Sequence, residues 1–162
     1  MDVASRTHDV IIVGAGIAGA AVAWRLALAG RRVTLIDARP PDEAGPRWVN
    51  GVPPWVFEFV GLAPSSGSER FGEDTDAFTV LRPSGARVFS LDPSPVWNVD
   101  MRRLTARIHG VARAAGVEFL APAKVRGVRC VGERLTAVEV TTESGSLTLT
   151  AALFVDASGM GG

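Results

Sequence analysis

Two short runs of consecutive hydrophobic residues lie near the start of the chain, on either side of an apolar segment rich in alanine. The first, Val10 to Val13, does not alternate with polar residues, which is typical of a strand buried on both faces in a parallel sheet. The segment from Ile17 to Ala29 favours a helix, and Gly30 is placed to end it. The second run, Val33 to Ile36, predicts another buried strand. The pattern therefore predicts a β-α-β unit of an α/β fold.

Residues 40–98 lack such a pattern and hold most of the prolines of the chain. Within them, two β-prone segments, Phe78 to Leu81 and Val88 to Leu91, flank a turn and predict a hairpin. We interpret the tryptophans in or beside this long insertion as packing residues; they are Trp48, Trp55 and Trp97.

Regular patterns return after the insertion. Apolar residues at spacings of four, three and four predict a helix whose stripe faces the core; they are Leu104, Ile108, Val111 and Ala115. The segment "VEFLA" predicts a buried strand, and residues 123–151 predict a β-meander of "VRGVRCV", "LTAVEVTT" and "LTLTA". A last strand, "ALFVDASG", is expected over residues 152–159. We therefore expect one domain over residues 1–162, with residues 40–98 as its insertion.

Three glycines follow the first predicted strand at the spacing G-x-G-x-x-G. Gly14 allows a tight turn, Gly16 leaves room for a pyrophosphate, and Gly19 lets the helix pack close to the strand. The N-terminus of the helix then offers free amides and the positive end of its dipole to the phosphates. The turn therefore predicts a dinucleotide site.

Acidic residues stand at the ends of two predicted strands. Asp37 comes eighteen positions after Gly19 and is expected to accept hydrogen bonds from an adenosine ribose, while its charge argues against NADP. The segment "DASG", residues 156–159, is expected to close the other side of the adenosine site. NAD and FAD share this fingerprint, and a glycine-rich packing turn beside a solvated acid is the alternative.

Charge and cysteine content narrow the classes of partner. The chain has 17 basic and 17 acidic residues and no run of like charge, so neither nucleic acid nor an anionic membrane is an expected partner. The single cysteine, Cys130, favours a cytoplasmic location, and its place in a strand predicts a buried structural thiol. His8 and His109 have no partner at metal-ligand spacing, so no metal site is expected. The expected partner is therefore a small molecule.

The order of these features resembles the N-terminal part of FAD-dependent oxidoreductases of the aromatic-hydroxylase, geranylgeranyl-reductase and flavin-halogenase type. The features are the GxGxxG turn, the acid, the long insertion, the amphipathic helix, "GVEFLAPAKV" before a meander, and "VDASG". The resemblance implies a Rossmann-like FAD/NAD(P)-binding fold, FAD as cofactor, a small-molecule substrate, and NAD(P)H as a candidate reductant. It places the backbone of Val125 and the side chain of Arg39 beside the adenine. No side chain of this sequence is a convincing acid or base, so the catalytic residues are left unassigned. The implied cofactor contacts are Gly14, Ala15, Gly16, Ile17, Ala18, Gly19, Asp37, Ala38, Arg39, Val125, Asp156, Ala157, Ser158 and Gly159.

Two departures from the family pattern leave alternatives open. The family usually has an arginine three positions before the first core leucine of the returning helix, where this chain has Met101. By the resemblance, a C-terminal substrate domain and part of the flavin pocket follow "DASG", and we expect this chain to lack them. The alternatives are an NAD-binding dehydrogenase domain, or a truncated, non-catalytic nucleotide-binding module that needs a second chain to complete the flavin site.

Overall fold

A six-stranded sheet organises the first of two units in the computed structural model, which describes residues 8–72 and 77–159. This sheet unit contains the described residues up to Pro46 and from Thr105 onward, and the insertion unit runs from Arg47 to Leu104. The elements in chain order are β1 (His8–Val13), α1 (Ile17–Leu28), β2 (Val33–Ile36), β3 (Val49–Val52), α2 (Trp55–Val60), a 3₁₀ turn (Gly67–Glu69), β4 (Arg70–Phe71), β5 (Phe78–Leu81), β6 (Arg87–Leu91), β7 (Trp97–Asp100), α3 (Met101–Ala114), β8 (Glu118–Leu120), β9 (Ala123–Val131), β10 (Arg134–Thr142) and β11 (Gly145–Asp156). None of the helices among these described elements is long and apolar enough to cross a membrane.

The strands of the sheet unit lie in the order β8-β2-β1-β11-β10-β9. β8, β2, β1 and the second half of β11 run parallel, whereas β11, β10 and β9 pair antiparallel as a meander. A buried cluster joins the two parts, because Ile11 and Ile36 of the parallel strands pack with Val138 and Val140 of the meander. The predicted α/β fold with a parallel sheet and a β-meander is confirmed.

The first β-α-β unit follows the prediction closely. Val10, Ile11 and Ile12 of β1 are at most 4% exposed, and every residue of β2 is buried, as expected for strands covered on both faces. α1 ends at Leu28, and Gly30 has a φ of +76°, a left-handed conformation that glycine adopts without steric cost. The two strands therefore end at the same edge of the sheet, with the helix between them.

β11 is one continuous strand where the sequence predicted two. Its pairing with β10 extends to Thr150, opposite Ala137, and its pairing with β1 begins at Ala151, opposite His8. No glycine, proline or other turn-forming residue interrupts residues 147–155, so the strand changes partners without leaving the sheet. The end of the meander thus runs directly along β1.

Two further predictions need correction. The segment "VEFLA" forms only β8, a three-residue strand at the sheet edge, and Glu118 in it is exposed because an edge strand is covered less completely. In the helical stripe, Leu104 and Ile108 are buried as predicted, but Val111 and Ala115 are only half-buried. The core face of α3 instead continues through two polar residues and one small one, and these buried residues are Thr105, His109 and Ala112.

Cys130 lies in β9, the strand at the other edge of the sheet. The prediction of a buried thiol is wrong, because Cys130 is exposed. All of residues 128–131 at the end of β9 are exposed, so this end of the strand projects away from the core.

The insertion unit contains more regular structure than its sequence predicted. The predicted hairpin is present as β5 and β6, and β3, β7 and β4 form an antiparallel sheet in that order. Trp97 packs against Phe57 at a ring-centroid distance of 5.9 Å, and Cζ of Arg70 lies 3.9 Å from the centroid of its indole. Trp48 and Trp55 are 65% and 64% exposed, so the packing role predicted for these two is wrong.

Candidate functional site

The carboxyl ends of three adjacent strands bring the predicted cofactor-contacting segments together. Val13, at the end of β1, is in register with Ile36 of β2 and with Asp156 of β11. The glycine turn, Asp37 and residues 156–159 therefore lie at one edge of the sheet. In α/β proteins this edge is where ligands bind.

The first and third glycines of the turn are required by contacts inside the protein. Gly14 has a φ of +104°, and a Cβ atom there would overlap the carbonyl oxygen of Ala157. Ala157 is held in that place because its amide donates to the carbonyl oxygen of Val13 at 2.7 Å. A Cβ atom at Gly19 would overlap the carbonyl oxygen of Gly14. Both glycines thus allow the turn, α1 and the end of β11 to pack closely, as the motif predicts.

The middle glycine has no such contact. Among the described residues, a Cβ atom at Gly16 would meet only the Cα atom of Gly45, at 3.7 Å, which is an ordinary van der Waals distance. The φ of −66° and ψ of −178° at Gly16 are open to any residue. Neither packing nor backbone conformation therefore requires glycine here. The space next to Gly16 is open to a ligand that contacts the backbone of the turn.

The beginning of α1 is suited to an anion. Gly16 is the N-cap, no side chain caps the helix, and the first intrahelical bond runs from the amide of Ala20 to the carbonyl oxygen of Gly16 at 2.9 Å. The amides of residues 17–19 thus precede the hydrogen-bonded ladder of the helix. Ala18 is exposed, Ile17 is half-buried, and the first turn contains no acidic residue. The dipole and the amides together favour a phosphate at this position.

Ala15, between the first two glycines, is held by side chains on both of its peptide groups. Its amide donates to Oδ2 of Asp37 at 2.7 Å, and its carbonyl oxygen accepts a hydrogen bond from Nε2 of His109 at 2.7 Å. Ala15 is fully buried, so these bonds satisfy polar groups that water does not reach. The turn is therefore anchored by residues 22 and 94 positions away in the sequence.

Asp37 is bonded to the protein on both of its carboxylate oxygens. Besides the bond with Ala15, its Oδ1 accepts from the amide of Arg39 at 2.9 Å, and Nε of Arg39 lies 3.6 Å from the same oxygen. Ala38 and Arg39 are exposed, whereas the Asp37 side chain is 8% exposed. Each carboxylate oxygen has two lone pairs, so each retains capacity to accept a ribose hydroxyl. The ribose contact stays a prediction, and the bond with Ala15 was not foreseen.

His109 is the site residue that sequence reasoning missed. It is 2% exposed, and its ring meets that of Phe119 edge-on at a centroid distance of 5.2 Å. Burial lowers the pKa of His109; the hydrogen bond to Ala15 opposes this effect and the positive charge of Arg113 adds to it. The ring is therefore neutral near pH 7, with its proton on Nε2, the atom that donates to Ala15. The available signal was its position on α3, directly after the buried Ile108.

The "DASG" segment forms a tight turn at the end of β11. Oδ1 of Asp156 accepts from the hydroxyl of Ser158 at 2.6 Å and from its amide at 3.0 Å. These hydrogen bonds lower the pKa of Asp156, because they favour its charged form. Gly159 continues the turn with a φ of +77°. Asp156 is exposed and shapes this turn, and its predicted contact with adenosine stays a prediction.

The beginning of β9 lies beside Asp37. The amide of Ala123 donates to the carbonyl oxygen of Asp37 at 2.7 Å. Val125, two residues further along, is half-buried and packs against the core cluster that contains Ile11 and Ile36. β9 therefore starts at the same end of the sheet as the glycine turn, and the predicted adenine contact of Val125 stays a prediction.

The arginines next to Met101 make contacts within the insertion unit. Oδ1 of Asp100 caps α3 by accepting from the amides of Arg102 and Arg103 at 3.0 and 3.1 Å. The guanidinium of Arg103 is hydrogen-bonded to the hydroxyl of Ser68, and its Nε lies 3.5 Å from Asp100. Arg103 is therefore engaged locally, and Met101, which replaces the usual arginine, is 8% exposed.

Comparisons with known proteins identify the family and the fold of this chain. A family model described as FAD dependent oxidoreductase matches residues 9–162. A digeranylgeranylglycerophospholipid reductase from Sulfolobus acidocaldarius is 27% identical over 94 residues, which are 57% of this chain and 19% of the reductase. The crystal structure of a geranylgeranyl bacteriochlorophyll reductase-like protein from Thermoplasma acidophilum aligns with a TM-score of 0.82 and 17% identity, over 94% of this chain and 39% of that one. The flavin-dependent brominase Bmp2 aligns with a TM-score of 0.75 and 23% identity, over 95% of this chain and 38% of the brominase.

The chain spans at most 39% of the length of these three proteins. The two solved structures share its fold, and the resemblance expected from the sequence is confirmed. Because the family model covers nearly all of the sequence, the chain belongs to the FAD dependent oxidoreductase family, and FAD is its cofactor.

Proposed function

We propose that this chain is the FAD-binding part of a flavin-dependent oxidoreductase with monooxygenase- or reductase-type activity on a small-molecule substrate. FAD supplies the redox chemistry when it is bound, and the protein supplies binding and orientation. NAD(P)H is the proposed reductant. Residues 1–162 would form one FAD-binding domain, with residues 40–98 as its insertion and residues 123–151 as its meander. The cytoplasmic location expected from the cysteine content stays a prediction.

In this proposal the ADP half of FAD lies at the carboxyl edge of the parallel strands. The amides of residues 16–19 bind the diphosphate, and Asp37 accepts from the adenosine ribose. The backbone of Val125 and the side chain of Arg39 border the adenine, and residues 156–159 close the opposite side. The uncapped beginning of α1 and the position of all these segments at one sheet edge support this arrangement.

The observation that carries the proposal is the contrast among the three glycines. Gly14 and Gly19 are explained by collisions that any side chain would make with the protein backbone. Gly16 makes no such collision and has an unstrained backbone. A glycine that the protein itself does not need, at the uncapped end of a helix, is accounted for by a ligand that approaches the backbone there.

The test is a parallel titration of the purified chain with FAD, ADP and NADH, followed by calorimetry, flavin fluorescence and thermal denaturation. A ligand that binds only the folded state raises the melting temperature by mass action. The variant Gly16→Val fills the space in front of the turn and should abolish binding of FAD and ADP. Gly110→Ala is the matched control, because a Cβ atom there meets no described atom within 4 Å and the residue is exposed on α3.

Binding of FAD that Gly16→Val abolishes and Gly110→Ala preserves supports the proposal. Binding of ADP without additional affinity for FAD places the adenosine half on this chain and the flavin contacts outside residues 1–162. If neither FAD nor ADP binds, or if Gly16→Val binds as tightly as the wild type, the proposed site is wrong. Tighter binding of NADH than of FAD would favour the dehydrogenase alternative.

A further inference from the structure

We infer that His109 is a positioning residue of the dinucleotide turn: its bond to the Ala15 carbonyl turns the Gly16 amide toward the open side, where the diphosphate would lie. The inference rests on the proposed function and assigns a role to a side chain that does not itself reach the ligand. It follows from the 2.7 Å bond between Nε2 of His109 and the carbonyl oxygen of Ala15.

The geometry of the peptide group links the direction of the Ala15 carbonyl to the direction of the Gly16 amide. The carbonyl of Ala15 and the amide of Gly16 belong to one planar peptide, and in a trans peptide they point in opposite directions. When His109 holds the carbonyl on the protein side, the amide of Gly16 points away from His109. The space next to Gly16 that a Cβ atom could occupy without collision lies open for a ligand.

The peptide before Ala15 is fixed in the same way. Its amide is bonded to Asp37 at 2.7 Å, so a carboxylate and an imidazole hold the two successive peptides that flank Ala15. With both planes fixed, the donors at the start of α1 are oriented before a ligand arrives. Such preorganisation improves affinity, because binding then costs less ordering of the loop.

His109 is well suited to this role because it is a neutral donor in a buried place. The ring is 2% exposed, and its edge-on contact with Phe119 limits its rotation. Ala15 is fully buried, so loss of the donor would leave its carbonyl oxygen without a partner among the described residues. The turn would then relieve this unsatisfied group by rotating the peptide, which would move the Gly16 amide out of position.

The experiment compares two variants of the full chain with ADP and adenosine as the probes. His109→Phe keeps an aromatic ring beside Phe119 and removes the donor, whereas His109→Gln places an amide donor near the position of Nε2. ADP binding is measured by calorimetry, and adenosine binding by ligand-observed NMR. ADP should bind about tenfold more weakly to His109→Phe, because the free energy lost when a buried carbonyl is left unsatisfied corresponds to roughly a tenfold change in affinity. Adenosine binding should change less than twofold, because adenosine has no diphosphate. His109→Gln should restore ADP binding to within about threefold of the wild type.

A purely structural role would lower the melting temperature of His109→Phe and leave the ratio of ADP to adenosine affinity unchanged, and that result would overturn the inference. Full ADP affinity in His109→Phe would also overturn it while the proposed site stands. Absence of ADP binding in the wild type would instead reject both. If a variant does not fold, NMR of the wild type decides: ADP should shift the Gly16 amide and the His109 Nε2–H resonance together, and an unshifted Gly16 amide overturns the inference.

Discussion

The contrast between Gly14 and Gly16 makes a quantitative prediction about two single-methyl substitutions. In Gly14→Ala, the new Cβ atom would overlap the carbonyl oxygen of Ala157 and lie 2.7 Å from the amide nitrogen of Ser158. A residue other than glycine at a φ of +104° costs about 2 kcal/mol. Displacing Ala157 weakens its bond to Val13, which costs about 1 kcal/mol more. Gly14→Ala should therefore lower the free energy of unfolding by about 3 kcal/mol.

In Gly16→Ala the same methyl group has an ordinary 3.7 Å contact with Gly45 and an allowed φ of −66°. Alanine is a poorer N-cap than glycine by roughly 0.5–1 kcal/mol, but it gains a similar amount of stability by reducing the conformational entropy of the unfolded chain. These effects nearly cancel, so the free energy of unfolding without ligand should change by less than about 0.5 kcal/mol. Affinity for ADP and FAD should nevertheless fall at least about tenfold, because the methyl group occupies the space of the ligand.

The assay is urea denaturation without ligand, followed by calorimetry with ADP at a temperature at which both variants are folded. A loss of about 3 kcal/mol corresponds to a melting temperature lower by roughly 6–12 °C for a chain of this size. Equal destabilisation by the two substitutions would refute the reasoning, since it would mean that Gly16 is also required by packing. Unchanged ADP affinity in Gly16→Ala would also refute the reasoning, since it would mean that the ligand does not occupy the space next to Gly16.

Three further predictions use other contacts. Asp37→Asn should weaken ADP binding about tenfold in calorimetry by removing charge-assisted hydrogen bonds, and unchanged affinity would contradict the ribose contact. Stability against urea should fall as the pH is lowered below about 6.5, because the lowered pKa of His109 means that the unfolded chain binds a proton at a higher pH than the folded chain does. In His109→Gln the part of this pH dependence that comes from His109 should be absent. Equal slopes of stability against pH in the wild type and in this variant would contradict a buried neutral ring. Trp97→Ala should cost about 3 kcal/mol in urea denaturation, whereas the exposed Trp48→Ala should cost less than about 0.5 kcal/mol, and similar costs would contradict the packing described.

Local sequence features were enough to predict the first β-α-β unit and the meander. The buried strands are continuous apolar runs, and the turn between β1 and α1 is marked by glycines whose spacing has a steric cause. Gly30 ends α1 as predicted, because a positive φ favours glycine at that position. Such features depend on neighbouring residues and can be found in a single sequence.

Features that depend on distant partners were missed. The bond between His109 and Ala15 joins residues 94 positions apart, and the histidine shows no local sign of its acceptor. β3 and β7 pair with each other across the insertion. The segment "VNGV" has no strand-like alternation, and "WNVD" alternates over only four residues, which is too short to identify a strand by itself. The change of partner within β11 likewise depends on the register of β1, which no pattern inside β11 encodes.

The pairing of β11 with both β10 and β1 also has a consequence for folding, because it fixes which segments must meet before the glycine turn is complete. The glycine turn is completed by Ala157, which packs under Gly14 and is bonded to Val13, so residues that lie far apart in the sequence meet there. During synthesis β1 emerges long before this partner, whereas the hairpins of the meander form from neighbouring segments of low contact order. The meander can therefore fold first and present β11 as a template for β1. A nascent chain that has not yet reached residue 157 lacks the contacts that complete the glycine turn, so the proposed FAD site would be finished only after β11 has paired with β1.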